Sequence, residues 1–149
     1  MLAIGSDHAG YALKQELMHW LDEQKIPYHD YGCYSTESTD YAKWAYAVGR
    51  AVAGGEAEKG VLVCGTGIGM SMAANKIKGI RAACCSDYFS AKATRAHNNA
   101  NILCMGERVV GAGQAIELLR VFLETPFEGG RHQRRVDQIA AIENGAFEG

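Results

Sequence analysis

With 149 residues, 48% hydrophobic and 21% charged, the chain has the composition of one ordinary globular domain able to bury a core. Its net charge of −2 gives no electrostatic reason to expect nucleic acid or an anionic membrane as a partner. No apolar run approaches the roughly 20 residues of a membrane span, and the opening MLAIGSDHAGY lacks the basic stretch and apolar core of a secretion signal.

Strand and helix signals alternate along the chain. Leu2 to Gly5 reads as a first strand, and Tyr11 to Glu23 as an amphipathic helix with apolar Leu13, Leu17, Trp20 and Leu21. A second strand around Pro27 to Tyr31 leads into a polar loop, after which Asp40 caps a helix carrying Tyr41, Trp44, Ala45 and Val48. Gly54 and Gly55 end it. Val61 to Cys64 is the third strand, followed by a helix through Ala73, Ala74 and Ile77. Ile80 to Cys84 is the fourth strand, with Ser86 capping a helix that reaches about Ala96. Ile102 to Met105 is the fifth, and a helix from Gln114 to Leu123 follows. Strict alternation implies a single domain, residues 1–149, built on a parallel sheet covered by helices on both faces.

The tail, residues 126–149, differs. Its stretch GGRHQRRVDQIAAIE begins with two glycines, places three arginines within five residues, and carries a thin apolar stripe at Val136, Ile139 and Ile142. This sixth helix suits docking on a neighbouring subunit; a helix closing its own domain fits the same residues.

In open parallel sheets, ligands sit beyond the C-terminal ends of the strands. The residues to inspect are therefore Asp7 and His8, Cys64 to Gly69, Cys85 to Asp87, and Glu107 with Arg108. In VLVCGTGIGMS the apolar run enters a cysteine and then glycines 65, 67 and 69 before a helix. Glycines let the backbone turn tightly and present N–H groups at a helix start, where an anion is stabilised. Cys64 at that lip would be favoured as a thiolate. The spacing is not the dinucleotide G-x-G-x-x-G, because Met70 takes its third glycine position, and no Walker lysine follows in register.

The other cysteines have blander readings. Cys33, Cys64, Cys84, Cys85 and Cys104 form an odd set without a CxxC pair, which speaks for reduced thiols in a cytoplasmic setting. Cys84, Cys85 and Cys104 lie in apolar runs and read as small core residues. No His, Asp or Glu set shows ligand spacing, so no metal is expected.

His97, Asn98 and Asn99 close the fourth helix. They fit either a functional cluster or a helix C-cap with an asparagine in the left-handed region. Arg131 and Arg135 lie four apart on one helix face, where forked guanidinium groups can clamp a phosphate; Arg108 is a third candidate. These features together fit proton abstraction beside a carbonyl in a phosphorylated metabolite.

The motifs GSDHAGYALK, DYGCYSTESTDY, CGTGIGMSMAANKIKGIRAA, RAHNNANILCMGERVVG and FEGGRHQRRVDQI, in this order, resemble the type B ribose-5-phosphate isomerases. That family includes the allose- and galactose-6-phosphate isomerases. The resemblance implies a three-layer α/β/α Rossmann-like sandwich and a homodimer (or a tetramer) with its sites at the subunit interface. It also implies no metal and no organic cofactor. By the same resemblance Cys64 is the base that moves a proton between C1 and C2. The amides of Gly65, Thr66, Gly67, Ile68 and Gly69 hold the enediolate, and His97 assists ring opening. Asp7, His8 and Asn98 contact the substrate, Arg108, Arg131 and Arg135 hold the phosphate, and His132 is a further acid–base candidate. Part of the family uses a glutamate at the place of Met70; a thioether cannot take a proton, which leaves Cys64. Ala42 departs from a proline common in relatives.

The reaction expected is interconversion of ribose 5-phosphate and ribulose 5-phosphate, with a 6-phosphate hexose as the alternative substrate. Readings from other classes are a non-catalytic phosphometabolite-binding module and a Cys–His hydrolase. The hydrolase lacks a residue to orient His97.

Overall fold

The computed structural model describes residues 1–149. The chain runs β1 (Leu2–Ser6), a 3₁₀ turn (His8–Gly10), α1 (Tyr11–Glu23), β2 (Tyr28–Asp30), α2 (Tyr41–Ala53) and β3 (Lys59–Cys64). It continues with α3 (Ile68–Ala74), β4 (Ala82–Cys84), α4 (Tyr88–Ala96), β5 (Ile102–Gly106), α5 (Ala112–Glu124) and α6 (Arg131–Glu143). The five strands are all parallel, in the order β2-β1-β3-β5-β4. The expected sandwich is the observed one. No helix is long and apolar enough to cross a membrane.

Burial explains which strands sit inside. β1 and β5 are buried along their whole length, and β3 everywhere except Lys59, because helices cover both faces. Alternation divides their side chains: Val61, Val63, Leu103 and Met105 face Leu13, Leu17, Leu118 and Phe122, in the layer of α1, α4 and α5. Leu62, Cys64, Ile102 and Cys104 face Ala45, Val48, Met70 and Ala74, in the layer of α2 and α3. The edge strands β2 and β4 have three residues each and are only partly covered.

The chain reverses its direction of travel across the sheet between β1 and β3, and β5 then inserts between β3 and β4. That insertion sets Gly106 beside Cys64. A Cβ on Gly106 would come within 2.5 Å of the Thr66 Cα and 2.7 Å of the Gly65 carbonyl oxygen, so the strand end and the loop after β3 pack backbone to backbone.

Several local expectations are corrected. The N-cap of α4 is Asp87, not Ser86: the Asp87 carboxylate accepts from the Ser90 amide at 2.8 Å. That hydrogen bond holds the Asp87 pKa below the usual carboxylate value, and a charged acceptor suits a helix N-terminus better than a hydroxyl. Ser86 instead gives its carbonyl to Gln114 Nε2 at 2.7 Å. Cys84 is exposed, because it ends an edge strand; Cys85 and Cys104 are buried as expected. Asp40 occupies the N-cap of α2 but makes no side-chain cap bond.

A buried lysine was not foreseen. Lys14 is fully buried and pairs with Asp30 at 2.7 Å while donating to the Cys33 carbonyl, which ties α1 to the loop after β2. Removing one partner of such a pair leaves an uncompensated charge.

The tail helix α6 keeps largely clear of its own core. Val136 is its one buried residue, and Ile139 and Ile142 are exposed. Gly129 and Gly130 precede it at φ +68° and +56°, a left-handed turn that a Cβ would strain.

Gly106→Ala is expected to destabilise the fold by about 2 kcal/mol, the usual scale for overpacking a tight site. A fall in the urea midpoint at unchanged slope would show it.

Candidate active site

The C-terminal edge of the sheet gathers the first half of the predicted residues. β1, β3 and β5 end side by side, with Ser6 opposite Val63 and Cys64 opposite Gly106. Cys64 is 6% exposed, and the Gly67 amide donates to its sulfur at 3.0 Å. Gly67 can aim that N–H inward because it sits at φ +82°, where a Cβ would also meet the Met105 carbonyl carbon at 2.9 Å. The amides of Gly65, Thr66 and Gly69 have no hydrogen-bond partner within the chain. They are free for an anion.

Thr66 helps build this loop. Its Oγ1 accepts from the Ile68 amide at 3.2 Å, which leaves its O–H to donate outward. Ile68 itself is exposed at the lip. Met70, where a carboxylate base would stand, is fully buried beneath the loop. Arg108 lies over the loop from β5: its guanidinium carbon is 3.7 Å from where a Gly65 Cβ would be. The Glu107 and Arg108 amides donate to the Cys64 and Gly65 carbonyls, fixing the two segments together.

Asp7 and His8 stand at the same edge. Asp7 is buried and accepts from the Gly10 amide at 3.1 Å, closing the 3₁₀ turn. His8 Nδ1 accepts from the Thr39 amide at 3.1 Å, so in the neutral ring Nε2 carries the proton and can donate to a ligand. Tyr41 joins them: a Cβ on Gly69 would meet its ring at 2.6 Å, so the tyrosine lies against the glycine loop. The sequence marked Tyr41 only as a helix residue; its one signal was an aromatic side chain in a first turn.

The second half lies elsewhere. His97 is the C-cap of α4, Asn99 has φ +49°, and the chain then enters β5 at Ile102. His97 and Asn98 therefore sit at the N-terminal edge of the sheet. The five residues of β5, at about 3.3 Å each, put roughly 15 Å between that edge and Cys64. One pentose phosphate does not bridge that distance. The Glu128 amide donates to the Ala96 carbonyl at 3.0 Å and brings the tail to the same place. A cavity there is lined by His97, Asn98, His132, Arg135, Val136 and Ile139. Arg131, the first residue of α6, begins the helix that carries His132 and Arg135. Within one chain the predicted residues form two half-sites, Asp7, His8, Cys64 to Gly69 and Arg108 against His97, Asn98, Arg131 and Arg135.

The second half-site also holds a residue that the sequence did not single out. The His97 and His132 rings stack with centroids 4.3 Å apart and planes 12° from parallel. Glu128 Oε1 lies 3.8 Å from His97 Nε2 and 3.4 Å from His132 Nε2. These donor atoms all lie within 4.8 Å of one another. The Arg135 guanidinium in the same cavity opposes a divalent cation and suits an anion.

A family model described as Ribose/Galactose Isomerase matches residues 2–139. The chain belongs to this isomerase family. It is 49% identical over 142 residues to ribose-5-phosphate isomerase B of Escherichia coli, covering 95% of each chain. It is also 39% identical over 144 residues to a D-erythrulose-4-phosphate isomerase of Pectobacterium atrosepticum, covering 96% of this chain and 95% of that one. Ribose-5-phosphate isomerase B of Clostridium thermocellum superposes with a TM-score of 0.95 at 45% identity, covering 97% of both chains.

Family membership makes the chain an enzyme of isomerase type, so the binding-module reading falls. The hydrolase reading falls on the same ground, because the family is one of isomerases.

Three of the other cysteines, Cys84, Cys85 and Cys104, are poorly suited to act as bases. Burial pushes the Cys85 thiol up to about 11 and, with neighbouring thiols, raises Cys104; Cys84 is an exposed residue, but its sulfur tucks against the loop at the Thr66 carbonyl, where desolvation and Cys64 raise it. A thiol raised on folding binds its proton more tightly in the native state, so its contribution to stability is lost as pH rises. Unfolding free energy is expected to fall between about pH 9 and 11, less so in Cys85→Val, as read from urea titrations across that range.

Proposed function

We propose that the protein interconverts D-ribose 5-phosphate and D-ribulose 5-phosphate through an enediolate, with Cys64 as the base. The observation that carries the mechanism is the Cys64 sulfur held at the mouth of a loop whose Gly65, Thr66 and Gly69 amides are free. The proton alpha to a carbonyl is a weak acid until the developing oxyanion is stabilised. Preorganised donors typically lower such barriers by about 3 kcal/mol each. Cys64 as thiolate takes the proton from C2 of the open-chain aldose, and the electron pair moves to O1 to give the enediolate. The O2 proton passes to O1 while the electron pair returns through C2 to C1, and the same sulfur gives its proton to C1, leaving the C2 ketone and the C1 hydroxyl. The Gly65, Thr66 and Gly69 amides face the oxygens throughout, while the Gly67 amide is engaged by the Cys64 sulfur and the Ile68 amide by Thr66.

The site is completed by a second subunit. The two half-sites lie too far apart in one chain for one substrate, and the exposed Ile139 and Ile142 on α6 supply an apolar surface for a second copy. In such a homodimer, residues 126–149 dock at the interface. Arg131 and Arg135 from one subunit hold the phosphate, and His97 and Asn98 meet the sugar ring, over Cys64 of the other. Phosphate binding remote from C1 and C2 then positions the reacting carbons. On this reading the protein works in the cytoplasm, and each step as written is carried by its own side chains and backbone amides. A second reading keeps the mechanism and changes the sugar, to a hexose 6-phosphate or a shorter chain; the similarity to an erythrulose-4-phosphate isomerase favours testing both.

Steady-state assays with ribose 5-phosphate, allose 6-phosphate, galactose 6-phosphate and erythrose 4-phosphate should show the highest kcat/KM for the pentose. Turnover of none of them by folded protein would sink the reading. Cys64→Ala is expected to lose more than a thousandfold in kcat while still binding ribose 5-phosphate, as judged by calorimetry.

Shared sites predict complementation. Cys64→Ala and the double variant Arg131→Ala/Arg135→Ala should each be inactive. Refolded together, they should recover about a quarter of wild-type activity, since half the dimers are mixed and each mixed dimer has one intact site. No recovery from a mixture shown to contain mixed dimers would place the whole site in one chain.

A further inference from the structure

The stacked histidines beside Glu128 are not explained by phosphate binding. Glu128 is fixed there by its own backbone, whose amide donates to Ala96 at the end of α4, next to His97. The left-handed Gly129 and Gly130 then turn the chain back, so that the His132 amide meets the Gly129 carbonyl at 3.0 Å and its ring covers His97. His132 is the buried member of the pair, with 12% of its side chain exposed against 45% for His97. One carboxylate thus faces the Nε2 atoms of both rings, and His97 keeps the more open position.

Charge makes this arrangement purposeful. Two imidazoles in contact repel one another if both are protonated, and Arg135 in the same cavity adds to the positive field. Glu128 is the carboxylate placed to offset a single imidazolium shared by the pair. Asp137, the nearest acid along α6, is engaged by Gln133 Nε2 at 2.7 Å.

Resting on the isomerase reading above, we infer that Glu128 is a positioning residue for opening of the sugar ring: it orients the His97–His132 pair and balances its charge while a proton passes through it. In this step the pair takes the proton from the anomeric hydroxyl of the furanose. The O1 electrons form the C1=O1 double bond, the C1–O4 bond breaks with its electrons going to O4, and O4 receives the proton back. No net proton is gained or lost. His97 is the ring that touches the sugar; His132 and Glu128 act through it. The role parallels a carboxylate that holds a catalytic imidazole and stabilises its cation.

The test compares wild type, Glu128→Gln and Glu128→Asp with ribose 5-phosphate, unlabelled and deuterated at C2. Glu128 is largely exposed, so the variants should fold. Glu128→Gln is expected to lower kcat about tenfold, a fraction of the hundredfold or more that a positioned acid–base group supplies, with KM within twofold. Glu128→Asp should recover most of the loss. Because ring opening then limits the rate, the deuterium effect on kcat should be at or near unity in Glu128→Gln. An unchanged kcat overturns the inference. So does a loss confined to KM, which would mean phosphate binding, or an isotope effect that stays well above unity, which would place Glu128 in the proton transfer at C2. If wild type itself fails on ribose 5-phosphate, the isomerase reading fails first.

Discussion

The hydrogen bond from the Gly67 amide to the Cys64 sulfur is the contact on which the chemistry rests. It exists only because Gly67 can occupy φ +82° in a space closed by Met105 and Cys84. The loop is held in that shape from the other side by the β5 end, where Gly106 meets Thr66 backbone to backbone and the next two amides donate to Cys64 and Gly65. Backbone donors built this way need no side-chain reorganisation when charge develops on a substrate, which makes them effective in transition-state stabilisation.

The same sheet that builds this loop divides the rest of the machinery. Helix α4 runs back towards the N-terminal edge, so anything at its C-terminus lies a strand's length from Cys64. The tail follows it there through the Glu128 to Ala96 bond. Such a chain is well folded and, alone, half an active site twice over. In the proposed homodimer, two copies related by a twofold axis would bring each half-site to the other's complement through an isologous interface. The sparsely buried α6, with Ile139 and Ile142 facing outward, is the element free to make that contact.

In the proposed mechanism, proton handling is divided in the same manner. Cys64 works at C1 and C2 from a loop of backbone donors. The His97, His132 and Glu128 group works from the helix end and tail, where side chains supply both the proton carrier and its counter-charge.

Much of this was legible in the residues alone. Alternating apolar runs fix the layers, because strands buried on both faces must be continuously hydrophobic. The register of glycines 65, 67 and 69 after Cys64 reads as an anion loop, and the structure gives two of them a reason: Gly67 sits at a positive φ, and a Cβ on Gly69 would meet Tyr41. Local sequence could not give the insertion of β5 between β3 and β4, which depends on long-range pairing, nor the exposure of Cys84, which follows from its place at a sheet edge. It named Asp7, Cys64, His97 and Arg131 together, yet only the tertiary structure separated them, because strand direction decides which edge a residue occupies. Glu128 escaped notice for the same reason: an acid four residues before a histidine means little until a backbone bond to a distant helix and two left-handed glycines set it against a second ring.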